Sequence, residues 1–253
     1  MLAEILLVGA VSGFVQGLSG FAFGLVATSL WAWMMEPQRV VPLVVLGSLV
    51  GQCASILSVR HEVRLARVRP FLVGAAIGVP LGAAVLRSLD ATAFRAVFGF
   101  GLVAYCSVVL FTKGLPKLRG VGSGADGTVG FASGALAAAF GMGGPPMTLW
   151  CSLREWSAIA QRATFQAYFI FLEVLLIAVY LWFGMIDTAL LITFAWLAPV
   201  IILSSWSGSR IGSRFGHQQF QKIVFSLLLL SGVMLMLPAM RKLAGMLPTA
   251  LGA

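Results

Sequence analysis

The sequence predicts an all-α fold, a polytopic transmembrane helical bundle made of two homologous repeats, and three observations predict it. Of 253 residues, 60% are hydrophobic and 10% charged, against roughly 45–50% and 25% in a soluble domain. The apolar residues gather into runs long enough to cross a hydrocarbon core of about 30 Å. One Gly-rich segment also occurs twice, at Gly13 and again at Gly130, a spacing of 117 residues.

Taken in order, residues 2–35 form the first Gly-rich segment, followed by apolar spans at 40–59, 70–89 and 94–111. A basic, Gly-containing linker at about 113–127 leads to the second Gly-rich segment, 128–151, and to spans at 164–183, 188–206 and 220–237. Six ordinary spanning helices are expected, with two unusual segments whose glycines weaken a regular helix by about 1 kcal/mol each. The first run has no basic leader and carries Glu4, so it is read as part of the mature chain rather than a signal peptide.

The two Gly-rich segments match residue for residue. Gly13, Phe14, Gly17, Ala22, Phe23 and Gly24 correspond to Gly130, Phe131, Gly134, Ala139, Phe140 and Gly141, six identities in twelve positions. Chance would give one or two at this composition. Trp33 and Trp150 keep the spacing, Gln38-Arg39 recurs as Gln161-Arg162, and Gly82 and Phe94 align with Gly208 and Phe220. The chain is therefore read as one membrane domain, 1–253, with repeat one at about 1–113 and repeat two at about 128–240.

The net charge of +9 does not indicate nucleic acid, because the seventeen Lys and Arg residues lie in short gaps between apolar runs and act as topology signals. If all eight segments cross, the two sides collect eight and nine basic residues, which carries no orientation. If each Gly-rich segment instead enters and returns as a pair of half-helices, one side holds Arg60, Arg64, Arg67, Arg69, Lys113, Lys117, Arg119, Arg154, Arg162, Arg210, Arg214 and Lys222. The other holds Arg39, Arg87, Arg95, Arg241 and Lys242. Three crossings per half make the repeats inverted, and the basic side cytoplasmic. The alternative is that both segments span fully and their glycines let helices pack closely.

Backbone leaves a helix at membrane depth only where protein or a wet cavity satisfies it. The expected breaks are Gly17-Leu18-Ser19-Gly20 and Gly141-Met142-Gly143-Gly144-Pro145-Pro146. Two prolines cannot lie within a regular helix but suit its start, so a half-helix is expected to begin at Pro145 or Pro146. Opposed half-helix N-termini would aim N–H groups at an anion. The expected substrate-binding residues are Gly17, Ser19, Gly20, Gly24, Gly141, Gly143, Gly144, Pro145, Thr148, Thr164 and Gln166, with Thr28 as a further hydroxyl. Each hydroxyl can equally bond its own helix.

Glu173 lies within an apolar span, where a carboxylate costs about 2.5–3.5 kcal/mol on insertion scales. It is the proton-coupling candidate, or else a neutral carboxyl bonded between helices. Gln16, Gln52 and Gln166 are amides for an oxyanion or for interhelical bonds. Arg39 and Arg162 either snorkel to headgroups or guide an anion.

These residues resemble the sulfite exporter TauE/SafE family of membrane permeases. The resemblance rests on Gly13-x3-Gly17-x2-Gly20-x3-Gly24, on Gly130-x3-Gly134 followed by Gly141-x-Gly143-Gly144, and on Ala163-Thr164. Two departures stand out: the first half lacks a Gly-Gly pair, and Pro145-Pro146 replaces a common third glycine. The resemblance implies transport of sulfite or an organosulfur anion such as a sulfonate across the cell (inner) membrane.

The function expected is a secondary transporter moving a small anionic solute by alternating access, with proton coupling through Glu173 as one form of it. A passive anion channel is the alternative. An enzyme is not expected, since His61 and His217 lack a nucleophile and carboxylate around them. Cys53, Cys106 and Cys151 have no metal-ligand or redox spacing, and no metal or other cofactor is expected. The expected partners are the solute and membrane lipid, with a homodimer left open and no nucleic acid.

Overall fold

The computed structural model describes residues 2–20, 22–56, 60–112, 117–118, 122–212 and 217–250. Ten α-helices run through the described residues. They are α1 Leu2–Ser19, α2 Phe23–Trp31, α3 Pro37–Ile56, α4 Leu65–Ser88, α5 Ala91–Phe111, α6 Ser123–Phe140, α7 Gly144–Leu153, α8 Ala158–Trp182, α9 Thr188–Gly212 and α10 His217–Ala250. Side chains that accept a bond from a first-turn N–H mark three of the starts: Asp90 from Ala93 at 2.6 Å, Ser157 from Ala160 at 3.3 Å, and Asp187 from Leu190 at 2.7 Å.

Among the described residues, six helices are long and apolar enough to cross a membrane: α1, α4, α5, α8, α9 within Thr188–Ile211, and α10 within Lys222–Met240. Five of the six expected spans are in this set, and α1 joins them; α3 holds the described part of the sixth, with Gln38, Arg39, Ser48 and Gln52 along it. The expected end of that span, residues 57–59, lies outside the described residues, as do Lys113, Arg119 and Arg214.

Helices exchange partners between the two halves of the chain. α1 packs on α9, α6 on α4, α5 on α10, and α3 on α8 at the centre. Glycines make the first two contacts close. A Cβ at Gly13 would stand 3.3 Å from Ile201 Cα, and one at Gly17 would be 2.9 Å from Ser209 N. On the other pair, a Cβ at Gly74 would be 2.6 Å from Phe131 N and one at Gly134 2.9 Å from Ala75 Cα. Backbone contact of this kind is how helices associate where lipid removes the hydrophobic drive. Ser205 reinforces it by donating to the Gly13 carbonyl at 2.8 Å.

The rising residue numbers along both contacts mean that α1 runs parallel to α9, and α4 to α6. Both broken segments return to the end where they began. Near the start of α6, Asp126 accepts from the Trp150 indole at 2.7 Å and pairs with Arg154 at 3.4 Å, just past α7. Ile5 of α1 likewise shares a hollow with Met34 and Met35, just past α2. Among the described basic residues, Arg60, Arg64, Arg67, Arg69, Lys117, Arg154, Arg162, Arg210 and Lys222 gather at the Asp126 end. Arg39, Arg87 and Arg95 lie at the other.

The Asp126 contacts are mostly buried: the side chains of Arg154 and Asp126 are 14% and 8% exposed. Asp126→Ala therefore removes the carboxylate beside the Arg154 guanidinium and the acceptor of the Trp150 indole N–H, and is expected to destabilise the protein by about 2 kcal/mol. The readout is a lower melting temperature in detergent, and an unchanged melt would show that this contact does not hold α6 to α7.

Candidate functional site

Both breaks begin with a glycine in the left-handed region, where a Cβ is disfavoured. Gly20 (φ 85°) follows α1, its N–H bonded to the Gln16 carbonyl at 2.6 Å. Gly141 (φ 68°) follows α6, its N–H bonded to the Ala137 carbonyl at 2.8 Å. The first break therefore begins at Gly20, one turn before the position that aligns with the second. Gly17 stays helical and serves the α1–α9 contact. The second half-helix begins at Gly144, one residue before the expected proline.

The two interruptions meet. A Cβ at Gly24 would lie 2.7 Å from the Gly141 carbonyl oxygen, and a Cβ at Gly141 3.0 Å from Thr28 Oγ1. Around this contact is a cavity of about 40 Å³ lined by Gly24, Leu25, Gly141, Gly143 and Gly144 from the breaks, and by mid-helix residues of α3 and α8. From α3 come Val44, Ser48 and Gln52, and from α8 Phe169, Leu172, Glu173 and Leu176.

The cavity is mostly apolar but holds three convergent polar groups. The Ser48 hydroxyl and the Glu173 carboxyl face the same cavity, while Glu173 Oε2 and Gln52 Oε1 are buried without a partner. Buried polar atoms are seldom left so. Such atoms in a cavity mark where water or a ligand binds. The Ser133 hydroxyl donates to the Gly143 carbonyl at 2.7 Å, pinning the second break so that its carbonyl does not face the cavity unbonded.

Of the expected site residues, Gly24, Gly141, Gly143, Gly144 and Glu173 line this cavity, with Pro145 buried in the first turn of α7. Ser19 does not; it donates to the Val15 carbonyl at 2.8 Å and accepts from Ala22 N at 3.2 Å, holding the turn after α1. Thr148 donates to the Gly144 carbonyl at 2.9 Å and lies beside Tyr105 in a separate hollow. Thr164 donates to the Ala160 carbonyl at 2.7 Å. Gln166 is fully buried with both amide atoms unpartnered, off the cavity wall. Gly20 has the Arg162 guanidinium near it, 3.9 Å from where its Cβ would be. Arg39 is remote, paired with Asp187 at 3.4 Å.

Ser48 was not among the expected residues. Its signal is the four-residue spacing to Gln52, which places two polar side chains on one face of an apolar helix.

A helical bundle of membrane length, with two interrupted helices meeting at a buried cavity that three polar side chains enter, is the architecture of a multi-pass membrane protein. The chain belongs to the sulfite exporter TauE/SafE family, whose profile matches residues 5–235. It is similar to the probable sulfite/organosulfonate exporter TauE of Cupriavidus necator, 24% identical over 238 residues that cover 92% of each chain. No solved structure matches it. Family and relative together make it a transporter of the inner membrane and not an enzyme.

Proposed function

We propose that this protein is a secondary transporter for sulfite or a small organosulfonate, working by alternating access between two inverted repeats, with Glu173 exchanging a proton during the cycle. The observation that carries this reading is the meeting of the first turn of α2, at Gly24, with the second interruption, at Gly141 between α6 and α7, beside a buried carboxyl.

The anion is held mainly by α2. Its N-cap residue, Ala22, contributes no side-chain cap, so the first-turn N–H groups at Phe23, Gly24 and Leu25 remain for a ligand. Pro145 and Pro146 occupy the second and third positions of α7 and have no N–H, which leaves Gly144 as that helix's first-turn donor. Gln52 supplies a side-chain amide. At about 10–15 Å³ per water, the cavity of about 40 Å³ takes about three waters, a fit for a compact ion with three oxygens. A longer sulfonate requires the walls to part.

An ionised carboxylate beside an anion in a dry cavity is doubly unfavourable, by desolvation and by repulsion. Glu173 therefore takes a proton when the solute is enclosed and gives it up when the cavity is open to water. Exchange of partners between the halves supports alternating access, since each of α1 and α6 is packed on a helix of the opposite half and moves with it.

Reconstituted protein is expected to give saturable sulfite flux that responds to a pH gradient. Flux rising linearly with concentration and indifferent to pH identifies a channel instead. The binding step is checked separately: at a hundred times Kd, the right anion stabilises the protein by about 2.7 kcal/mol. A melt that no sulfite, sulfonate, sulfate, thiosulfate or carboxylate raises counts against the anion site.

A further inference from the structure

Two helices line both the cavity and a larger hollow at the basic end of the bundle. On α8, Phe169 and Glu173 face the cavity, while Phe165 and Gln161, one and two turns nearer the basic end than Phe169, face the hollow. On α7, Gly144 faces the cavity, and Thr148, Cys151 and Ser152, one and two turns further on, face the hollow. Positions four, seven and eight apart share one helix face, so each helix carries a single stripe from one space into the other.

The hollow, about 530 Å³, is completed by the last turns of α5, by Phe225 of α10 and by Lys117. Half of its twelve lining residues are polar, namely Tyr105, Thr112, Lys117, Thr148, Ser152 and Gln161, and none is Asp or Glu. The Lys117 ammonium donates to the Ser152 carbonyl at 2.8 Å and the Arg154 carbonyl at 3.3 Å, which leaves one of its three N–H groups. Among the described residues no carboxylate pairs with it. A hollow of about 440 Å³ between α1, α2 and α10 makes the contrast: its walls carry two hydroxyls, Ser29 and Ser231, and no charged group. Acyl chains suit the second, whereas water and an anion suit the first.

Little separates the polar hollow from the cavity. The Phe165 and Phe169 rings meet edge to face with centroids 6.2 Å apart. Beside them the Thr148 hydroxyl donates to the Gly144 carbonyl at 2.9 Å and lies 3.1 Å from the Tyr105 hydroxyl.

We infer that the hollow is an outer solute site on the cytoplasmic side, where Lys117 and Gln161 hold an anion before Phe165 and Phe169 part and pass it to the cavity. The basic end is the cytoplasmic one by the distribution of Lys and Arg. At about 530 Å³ the hollow admits a hydrated sulfonate, which the cavity of about 40 Å³ does not. The inference rests on the proposed function for the solute being an anion that reaches the cavity.

The test uses the full chain in membrane vesicles of known sidedness, with Cys53, Cys106 and Cys151 replaced and single cysteines at Ser152→Cys and Ser231→Cys. A charged, membrane-impermeant maleimide added at the cytoplasmic face is expected to label Ser152→Cys about tenfold faster than Ser231→Cys, and ethanesulfonate is expected to slow it. Equal rates mean that lipid fills the polar hollow too and overturn the inference. Labelling that ethanesulfonate leaves unchanged overturns the anion site as well. In flux assays, Lys117→Gln is expected to raise the cytoplasmic-side KM for sulfite about fivefold, the size of one partly exposed charge contact, with Lys117→Arg restoring it. A fall in kcat from both faces with KM unmoved makes Lys117 a brace for the end of α7 and overturns its role here. Protection of Ser152→Cys by ethanesulfonate, in a protein that carries neither sulfite nor ethanesulfonate across the membrane, keeps the outer site and removes the transport proposed above.

Discussion

Gly24→Leu abolishes transport while the protein still inserts into the membrane. The added Cβ falls 2.7 Å from the Gly141 carbonyl oxygen and 3.6 Å from Val44, so backbone of one half must retreat from backbone of the other. The rest of the leucine enters a cavity of only about 40 Å³. Displacing a binding geometry by about 1 Å can cost a hundredfold in rate, and here the volume is lost too, so a fall of at least about that size is expected. Insertion is not threatened, because leucine favours the bilayer. Gly143→Leu belongs to the same experiment: its Cβ would lie 2.8 Å from the Ala137 Cβ and 3.4 Å from Leu172 Cδ2, on the opposite wall. Flux is measured in proteoliposomes, with monodispersity and melting temperature as controls for folding. Full transport by either well-folded variant would remove the cavity from the pathway.

Glu173→Gln uncouples flux from the pH gradient. Its carboxyl is 5% exposed and shares the cavity with the breaks. The amide keeps the shape, but it cannot exchange a proton. One pH unit is worth about 1.4 kcal/mol per proton, a tenfold concentration ratio. With one proton coupled to each solute, wild-type vesicles under a one-unit gradient should therefore build about a tenfold ratio of labelled sulfite. The variant should reach about equality while still exchanging labelled for unlabelled solute. A tenfold ratio in the variant would place the coupling elsewhere; loss of exchange as well would make Glu173 a binding residue rather than a proton carrier.

The contrast between Gly17 and Gly24 marks how far residues alone could carry the site. Both belong to the duplicated motif and both were expected to bind solute. Gly17 proves to be a packing glycine against Ser205 and Ser209 of α9, whereas Gly24 faces Gly141 across the cavity. Periodicity cannot separate these roles, because a glycine against backbone and a glycine against a ligand follow the same spacing. The hydroxyls of Thr148 and Thr164 went the same way, into their own helices, a local option always open to serine and threonine. Ser48 was passed over because its four-residue spacing to Gln52 marks a polar helix face but not what that face meets, which only the packing of α8 decides.

From its sequence alone, this chain is committed to the membrane and to α-helices, since so much apolar surface and so few charges leave no other solvent, and backbone in lipid must bond within its own segment. The duplicated glycines and the paired prolines likewise fix where helices are interrupted, to within a turn, because φ freedom and a missing N–H act locally. Tertiary structure decided which glycine meets which helix, that the two interruptions touch, and that Ser48, Gln52 and Glu173 converge on them. Those outcomes depend on α1 packing against α9 and α6 against α4, contacts between residues nearly 200 and about 60 positions apart, and no local rule of spacing or propensity specifies partners at such separations.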